Sequence, residues 1–322
     1  MKSKLVALSA AFAVVCSLGA SAGTVTAQAR SDGPDVLLPP GLMTAAAAFE
    51  HYTRGAQAID AGFTSGPSVA KALVIGASYE PHQFQVGMVA YAALAALQDE
   101  AFVADVRAAG GERGYQSQNG GGDLAAQLAA DPYLVMRLDG AQHAASMAAA
   151  ALAARGGPLE DAGRSVKQAA YTVQHSAWSK ANIVEPAVRL ARIKAISAQP
   201  FDADGGDVSR ALQSSALRPT RVSYGSSVPS PLVVRALALA AEAVLGEATD
   251  DPQALAAFTG EPQQASCLKM AKLNLYQCLA VAGPHYEDIF CLGQHAMIDT
   301  GQCVLKAAGA PMGGGSQQTA LH

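Results

Sequence analysis

From Thr44 onward, apolar stretches of helical character alternate with short breaks of proline, glycine and polar residues, so the pattern predicts helix, punctuator, helix. Thr44 is expected to cap a helix running through Asp60. Ser65, with Pro67 close behind, opens a second, and Pro81 opens a third that reaches Leu97. Asp99 begins a shorter one ending at Gly110-Gly111. Each opening has a capping oxygen or an early proline, because the first amides of a helix lack partners within it. Pro132 starts a long helix to Arg155, Gly156-Gly157-Pro158 turns it, and the next helix runs to about Asn182, which reads as an antiparallel hairpin. Pro186 restarts the chain as a helix through Ser197.

Residues 199–231 hold four prolines, several glycines and many serines, the composition of a long ordered loop or a boundary. The division is placed there. It separates an N-terminal helical domain, 44–198, from a C-terminal helical region, 232–308, with a proline-rich lead-in at 30–43 and a tail at 309–322 expected to be disordered. Gly110 to Gly122 is a glycine-rich loop; it lacks the ordered spacing and the preceding strand of a phosphate cradle and reads as a surface connection.

Hydrophobic residues make up 50% of the chain but aromatic ones only 6%, so the apolar fraction is small or aliphatic, with alanine foremost. Alanine favours helices, whereas strands want the β-branched and aromatic residues that are sparse here. The expected class is all-α, a multi-helix Ala-rich bundle. The net charge of -4, without a clustered basic face, argues against a nucleic-acid partner.

Lys2 and Lys4 precede an apolar run from Leu5 to Leu18, too short to span a bilayer comfortably, and small-residue cleavage motifs follow. This is read as a signal peptide, 1–29, cut after Ala27-Gln28-Ala29; Ala20-Ser21-Ala22 is the competing site. Cys16 leaves with it. No later segment has the ~18 consecutive apolar residues of a spanning helix, since Arg235 and Glu242 interrupt the most apolar stretch. A soluble periplasmic protein of bacterial type, without a transmembrane segment after processing, is expected.

Four cysteines then remain, all near the C-terminus, an even number that suits an oxidising compartment. Cys278 and Cys291 flank Gly283-Pro284-His285, and Cys267 and Cys303 enclose them about the same centre. A chain folding back there would join Cys278 to Cys291 and Cys267 to Cys303. Gly283 suits the end of one helix and Pro284 the start of the next, with Glu287 and Asp288 near its positive end. On the first helix Cys267 and Cys278 are eleven residues apart, an offset of only about 20°. Ala271, Leu275, Leu279 and Leu268 continue that side, with Lys269, Lys272 and Tyr276 opposite. Cys291 and Cys303 are twelve apart, about 120° on an ideal helix, so a break near Asp299-Thr300-Gly301 or at Gly293 is expected. Zinc sites bring ligands in close pairs and redox pairs form Cys-x-x-Cys; neither spacing occurs. Over Ser266 to Leu305 the arrangement resembles a twin-cysteine helical hairpin in geometry. Its spacing differs from that of the mitochondrial twin-cysteine proteins, and the resemblance implies no shared function.

Other chemistry is sparser. Ser68-Val69-Ala70-Lys71 has the Ser-x-x-Lys spacing of penicillin-recognising enzymes, and Ser117-Gln118-Asn119 imitates their second motif, but the third motif and its sheet are missing. Asp299-Thr300-Gly301 has the triplet of aspartic proteases without its second copy. His285, Glu287 and Asp288 read as helix-start chemistry. The best small-molecule candidate is Asp139 and His143 on one helix with His175 on the next, which a helical hairpin would bring together to bind a metal or share a proton. No cofactor is expected. Without a complete catalytic motif, the reading is a noncatalytic scaffold or interaction module of the cell envelope with a protein partner, the alternative being an enzyme or metal-binding protein built on Asp139, His143 and His175.

Overall fold

The computed structural model describes residue 36 and residues 38–111, 123–202 and 228–310, and among them the chain is helical throughout, with no strand. In chain order the α-helices are α1 (Pro40–Gln57), α2 (Gly66–Ala77), α3 (Pro81–Ala96), α4 (Glu100–Gly111), α5 (Leu124–Ala130), α6 (Ala141–Val173), α7 (Ala177–Lys180), α8 (Pro186–Ser197), α9 (Pro231–Leu245), α10 (Pro252–Thr259), α11 (Pro262–Val281), α12 (His285–Cys291) and α13 (Asp299–Ala307). A 3-10 turn, Pro132–Arg137, precedes α6, and a π-helical turn, Leu292–Ile298, joins α12 to α13.

Proline in the first turn opens α1, α2, α3, α8, α9, α10 and α11, where a missing amide removes a donor that had no partner anyway. Side chains serve the remaining amides. Ser65 and Ser68 form a reciprocal capping box, Glu80 accepts from His82 and Gln83, and Glu261 accepts from Gln263 and Gln264. Thr44 does not cap α1, which starts at Pro40; its hydroxyl bonds back to the Pro40 carbonyl from inside the first turns.

The core forms around α3 and α9, whose apolar residues lie on nearly every side and are buried as such helices must be. Phe49, Tyr52, Tyr79, Phe84 and Tyr91 cluster between α1 and α3, with ring centroids 4.6–5.3 Å apart. Gly87 lets α3 touch α1: a Cβ there would lie 2.3 Å from the Ala45 carbonyl oxygen. Buried Glu50 on α1 pairs with Arg54 and, at 2.6 Å, with Arg155 of α6, tying the two helices.

Two expectations change here. Gly156-Gly157-Pro158 is no turn; α6 runs straight through it for 33 residues. An interior proline costs a helix roughly 3 kcal/mol, and packing offsets that cost. Gly156 and Gly163 lie against the segment from α12 to α13, which contributes Gly293 and Gly301 of its own, so backbone meets backbone. A Cβ on Gly163 would stand 2.8 Å from the Ile298 amide, and one on Gly301 2.8 Å from the Glu160 amide. Secondly, residues 199–231 do not separate two cores. Helix α9 packs on α3 and α6, α11 on α3 and α8, and the described residues fall in one compact unit. Residues 1–35, 112–122, 203–227 and 311–322, which hold the expected signal peptide, the glycine-rich loop and the tail, lie outside the described residues.

Among the described residues no single helix is long and apolar enough to cross a membrane. Helices α3 and α4 pass that test only as a pair bent by 94°.

Candidate functional site

Two disulfides constrain the C-terminal hairpin. Helix α11 ends at Val281, the chain turns through Ala282-Gly283-Pro284, and α12 returns antiparallel to it. Both expected disulfides are present: Cys278 to Cys291, with α-carbons 5.6 Å apart, and Cys267 to Cys303, 5.8 Å apart.

The 120° mismatch between Cys291 and Cys303 is resolved by winding, not by a break. A π turn closes its hydrogen bond one residue later than an α turn and so absorbs one residue without advancing the helix. Leu292–Ile298 is such a turn. The twelve-residue step therefore acts as eleven, about 20° out of register, the same offset that separates Cys267 from Cys278 on α11. Gly293, one of the two expected break points, lies inside this turn with its α-carbon hydrogens against the backbone of Lys167, and Asp299-Thr300-Gly301 starts α13 without interruption.

Polar side chains fasten the hairpin from both sides. On the inner side the Tyr52 hydroxyl donates to the Ala296 carbonyl within the π turn at 2.7 Å, and Tyr79 and Thr300 share a hydroxyl contact of 3.0 Å. Burial pushes both tyrosines well above their ordinary range. Lys272, expected on the face away from the core, is buried beneath α8 instead. Its ammonium donates to the Ala77 carbonyl (2.7 Å) and Ser197 Oγ (3.2 Å) and lies 3.5 Å from the centre of the Tyr79 ring. Desolvation holds the Lys272 pKa well below its ordinary value. Near the bend, Arg189 of α8 reaches Asp288 and the Leu279 carbonyl; burial raises Asp288 to about 6 despite that partner.

On the other side Asp299 accepts from Gln294 (2.9 Å), is 2.8 Å from His295 Nδ1 and meets Asn274 at 3.5 Å, while Lys167 of α6 donates to Gln294. Burial works to raise the Asp299 pKa, but these hydrogen bonds outweigh it and hold the carboxyl below the usual range.

Because the Lys272 pKa is lowered on folding, the unfolded chain binds more protons, and stability should rise with pH until the unfolded lysine deprotonates near 10.5. Lys272→Met removes the buried charge at similar size, and Ser197 still satisfies the Ala77 carbonyl at 2.9 Å. This variant should be more stable than the parent at pH 7 by about 1–2 kcal/mol. The gain should shrink as the pH approaches 10, in denaturation curves recorded across that range.

The trio Asp139, His143 and His175 is not brought together. Because α6 does not turn, His143 sits in its first turn and His175 just beyond its end, about 45 Å apart along the axis. His143 pairs instead with Asp99, Nδ1 to Oδ2 at 2.6 Å, on a side chain 76% exposed; Asp139 and His175 are exposed as well. Among the described residues no group of three His, Cys, Asp or Glu side chains is placed to hold a metal. Ser68 is engaged in the α2 capping box, Lys71 is exposed, and Ser117-Gln118-Asn119 lies outside the described residues. Glu287 accepts from the Gly283 amide at 2.8 Å, the helix-start role expected of it.

The feature that the sequence pattern did not reveal is the outer face of α11. Met270, Leu273 and Val281 are 50%, 39% and 83% exposed. They span about 80° of the helix surface, with Gln277 between them. A shallow groove lined by Ser266, Cys267, Met270 and Lys306 runs beside this stripe. A separate cleft of about 520 Å³ lies where α1, α3, α10 and α11 begin, and Asp250, Glu80, Asp251 and Glu261 cap those four starts. No protein-family model, curated protein or solved structure matches this chain.

Proposed function

We propose that the chain is an exported, noncatalytic helical module of a bacterial cell envelope, and that α11 is the face on which it binds a protein partner. The carrying observation is that α11 has apolar surface on two sides. Leu268, Ala271, Leu275 and Leu279 face the core, while Met270, Leu273 and Val281 face outward. An exposed apolar strip on a helix is an interaction signature. This one is rigid, because two disulfides clamp the helix to the segment behind it. The anchor spacing of 270, 273, 277 and 281 suits an amphipathic partner helix, and exposed Lys269 and Lys306 beside the strip suit acidic residues along that helix's margin. Two disulfides accord with an oxidising compartment, and residues 1–29 have the character of a signal peptide that would deliver the chain there.

Photo-crosslinking in the native envelope tests this reading. A photoreactive residue in place of Leu273 or Gln277 should give one discrete adduct, and Met270→Glu should abolish it. The same residue in place of Tyr133, comparably exposed but outside α11, should give none. No adduct from either α11 position in oxidised protein, or an adduct indifferent to Met270→Glu, would refute the docking face.

A further inference from the structure

Aromatic residues are only 6% of the chain, and most of the described ones are buried. Tyr171, Tyr286 and Phe290 depart from that. They line a cleft of about 420 Å³ where the C-terminal ends of α6 and α11 meet α12. Tyr171 and Phe290 stand edge to face, with centroids 6.2 Å apart and planes at 76°, so they form two walls nearly at a right angle. Tyr286, one helical turn before Phe290, supplies a third ring. The Cys278–Cys291 bridge lines the cleft and fixes α11 against α12.

The charges around this box favour a cation. Two helices, α6 and α11, end at it with their carbonyl-rich, negative poles. Glu287 lines it too. One of its oxygens accepts from the Gly283 amide, and among the described residues no second bond engages the carboxylate. Three positive features stand nearby, the first being Arg189, which is paired with Asp288 and donates to the Leu279 carbonyl in the last turn of α11. Lys167 lies 5.2 Å from the Phe290 ring centre and is held by Gln294 at 2.7 Å; the positive end of α12 is met by Glu287 and Asp288 of its own first turn.

We propose that this cleft binds a small organic cation bearing a methylated ammonium group. Ring faces attract a cation without hydrogen-bonding to it, which suits a nitrogen that has no N–H to donate and is weakly hydrated. An unmethylated ammonium would need several acceptors, and the polar side chains lining the cleft are few: Gln174, Glu287 and the two tyrosine hydroxyls. The volume is that of a small-molecule site. The inference does not depend on the partner-binding reading, with which it shares Val281 and the Cys278–Cys291 bridge.

The test is a titration of the oxidised full-length protein with choline, followed through the aromatic ring resonances by nuclear magnetic resonance. The uncharged isostere 3,3-dimethylbutan-1-ol is the control. Choline should shift the Tyr171, Tyr286 and Phe290 signals saturably, and the alcohol should bind about tenfold more weakly. Glu287→Gln keeps the acceptor for the Gly283 amide and should weaken choline binding severalfold. Tyr286→Ala should weaken it about tenfold, and Tyr171→Ala, at a half-exposed wall, is the substitute if the first variant does not fold. Equal binding of alcohol and choline, shifts confined to other rings, or no saturable shift would each overturn the proposal.

Discussion

Cys267→Ser, Cys278→Ser, Cys291→Ser and Cys303→Ser together are expected to lower the unfolding free energy by about 6 kcal/mol. The inner bridge closes a loop of 13 residues and the outer one of 36, which the inner bridge already shortens. Loop-closure entropy assigns roughly 3 kcal/mol to each. Domains of this kind are stable by only ~5–15 kcal/mol, so the quadruple variant should be largely unfolded or close to it at 37 °C. The effect should also be local at first. With the hairpin unpinned, Tyr52, Tyr79 and Lys272 lose the surface that fixes them, because Tyr52 holds the π turn itself. Urea denaturation of the quadruple variant and of each pair variant measures this. A loss below about 1 kcal/mol for all four would mean that helix packing alone defines the hairpin.

The second large effect concerns two glycines with opposite roles. Gly293→Ala would place a Cβ 2.5 Å from the Lys167 amide nitrogen and 2.8 Å from its α-carbon, both backbone atoms that cannot rotate away. Helix α6 and the π turn would have to separate, at a cost of about 3 kcal/mol or more. At Gly157 a Cβ meets nothing within 4 Å, and the residue sits inside a continuous helix. Gly157→Ala should therefore stabilise the protein by about 0.5–1 kcal/mol. Had residues 156–158 formed a turn, alanine at that position would bring no such gain. Thermal unfolding of the two variants separates the possibilities, and opposite signs are the expected result.

Those glycines also show why part of the fold was not legible in the sequence. Glycine and proline punctuate a chain when nothing else acts on it, and at Pro81, Pro186 and Pro231 that reading locates helix starts within a residue or so, whereas Pro132 opens a 3-10 turn and the long helix expected there begins only at Ala141. At Gly156-Gly157-Pro158 it fails because glycine serves a second purpose, close approach of two backbones. That purpose depends on Gly293 and Gly301, more than 130 residues later in the chain. The error then spread. A hairpin there would have placed His143 near His175, and a straight α6 holds them apart.

The disulfide pairing was legible because it is local and symmetric about Gly283-Pro284. The misfit of Cys291 and Cys303 was legible too, as a twelve-residue step on a helix that needs eleven. Its remedy was not, since a π turn leaves no distinct mark in composition. Lys272 illustrates a further limit. Helical periodicity placed it opposite the cysteine face, which is correct, but could not say that α8 covers that face as well. The exposed strip on α11 was hidden for a related reason. With apolar residues on both sides, the helix has no clear polar face, and only the packing shows which side stays bare.

The most direct test of the central claim, an exported module stapled by nested bridges, is non-reducing peptide mapping by mass spectrometry on protein taken from its native envelope. The account predicts two linked peptide pairs, Cys267 with Cys303 and Cys278 with Cys291, and an N-terminus at Arg30. Free thiols in that material, or an intact residue 1–29 segment, would contradict it.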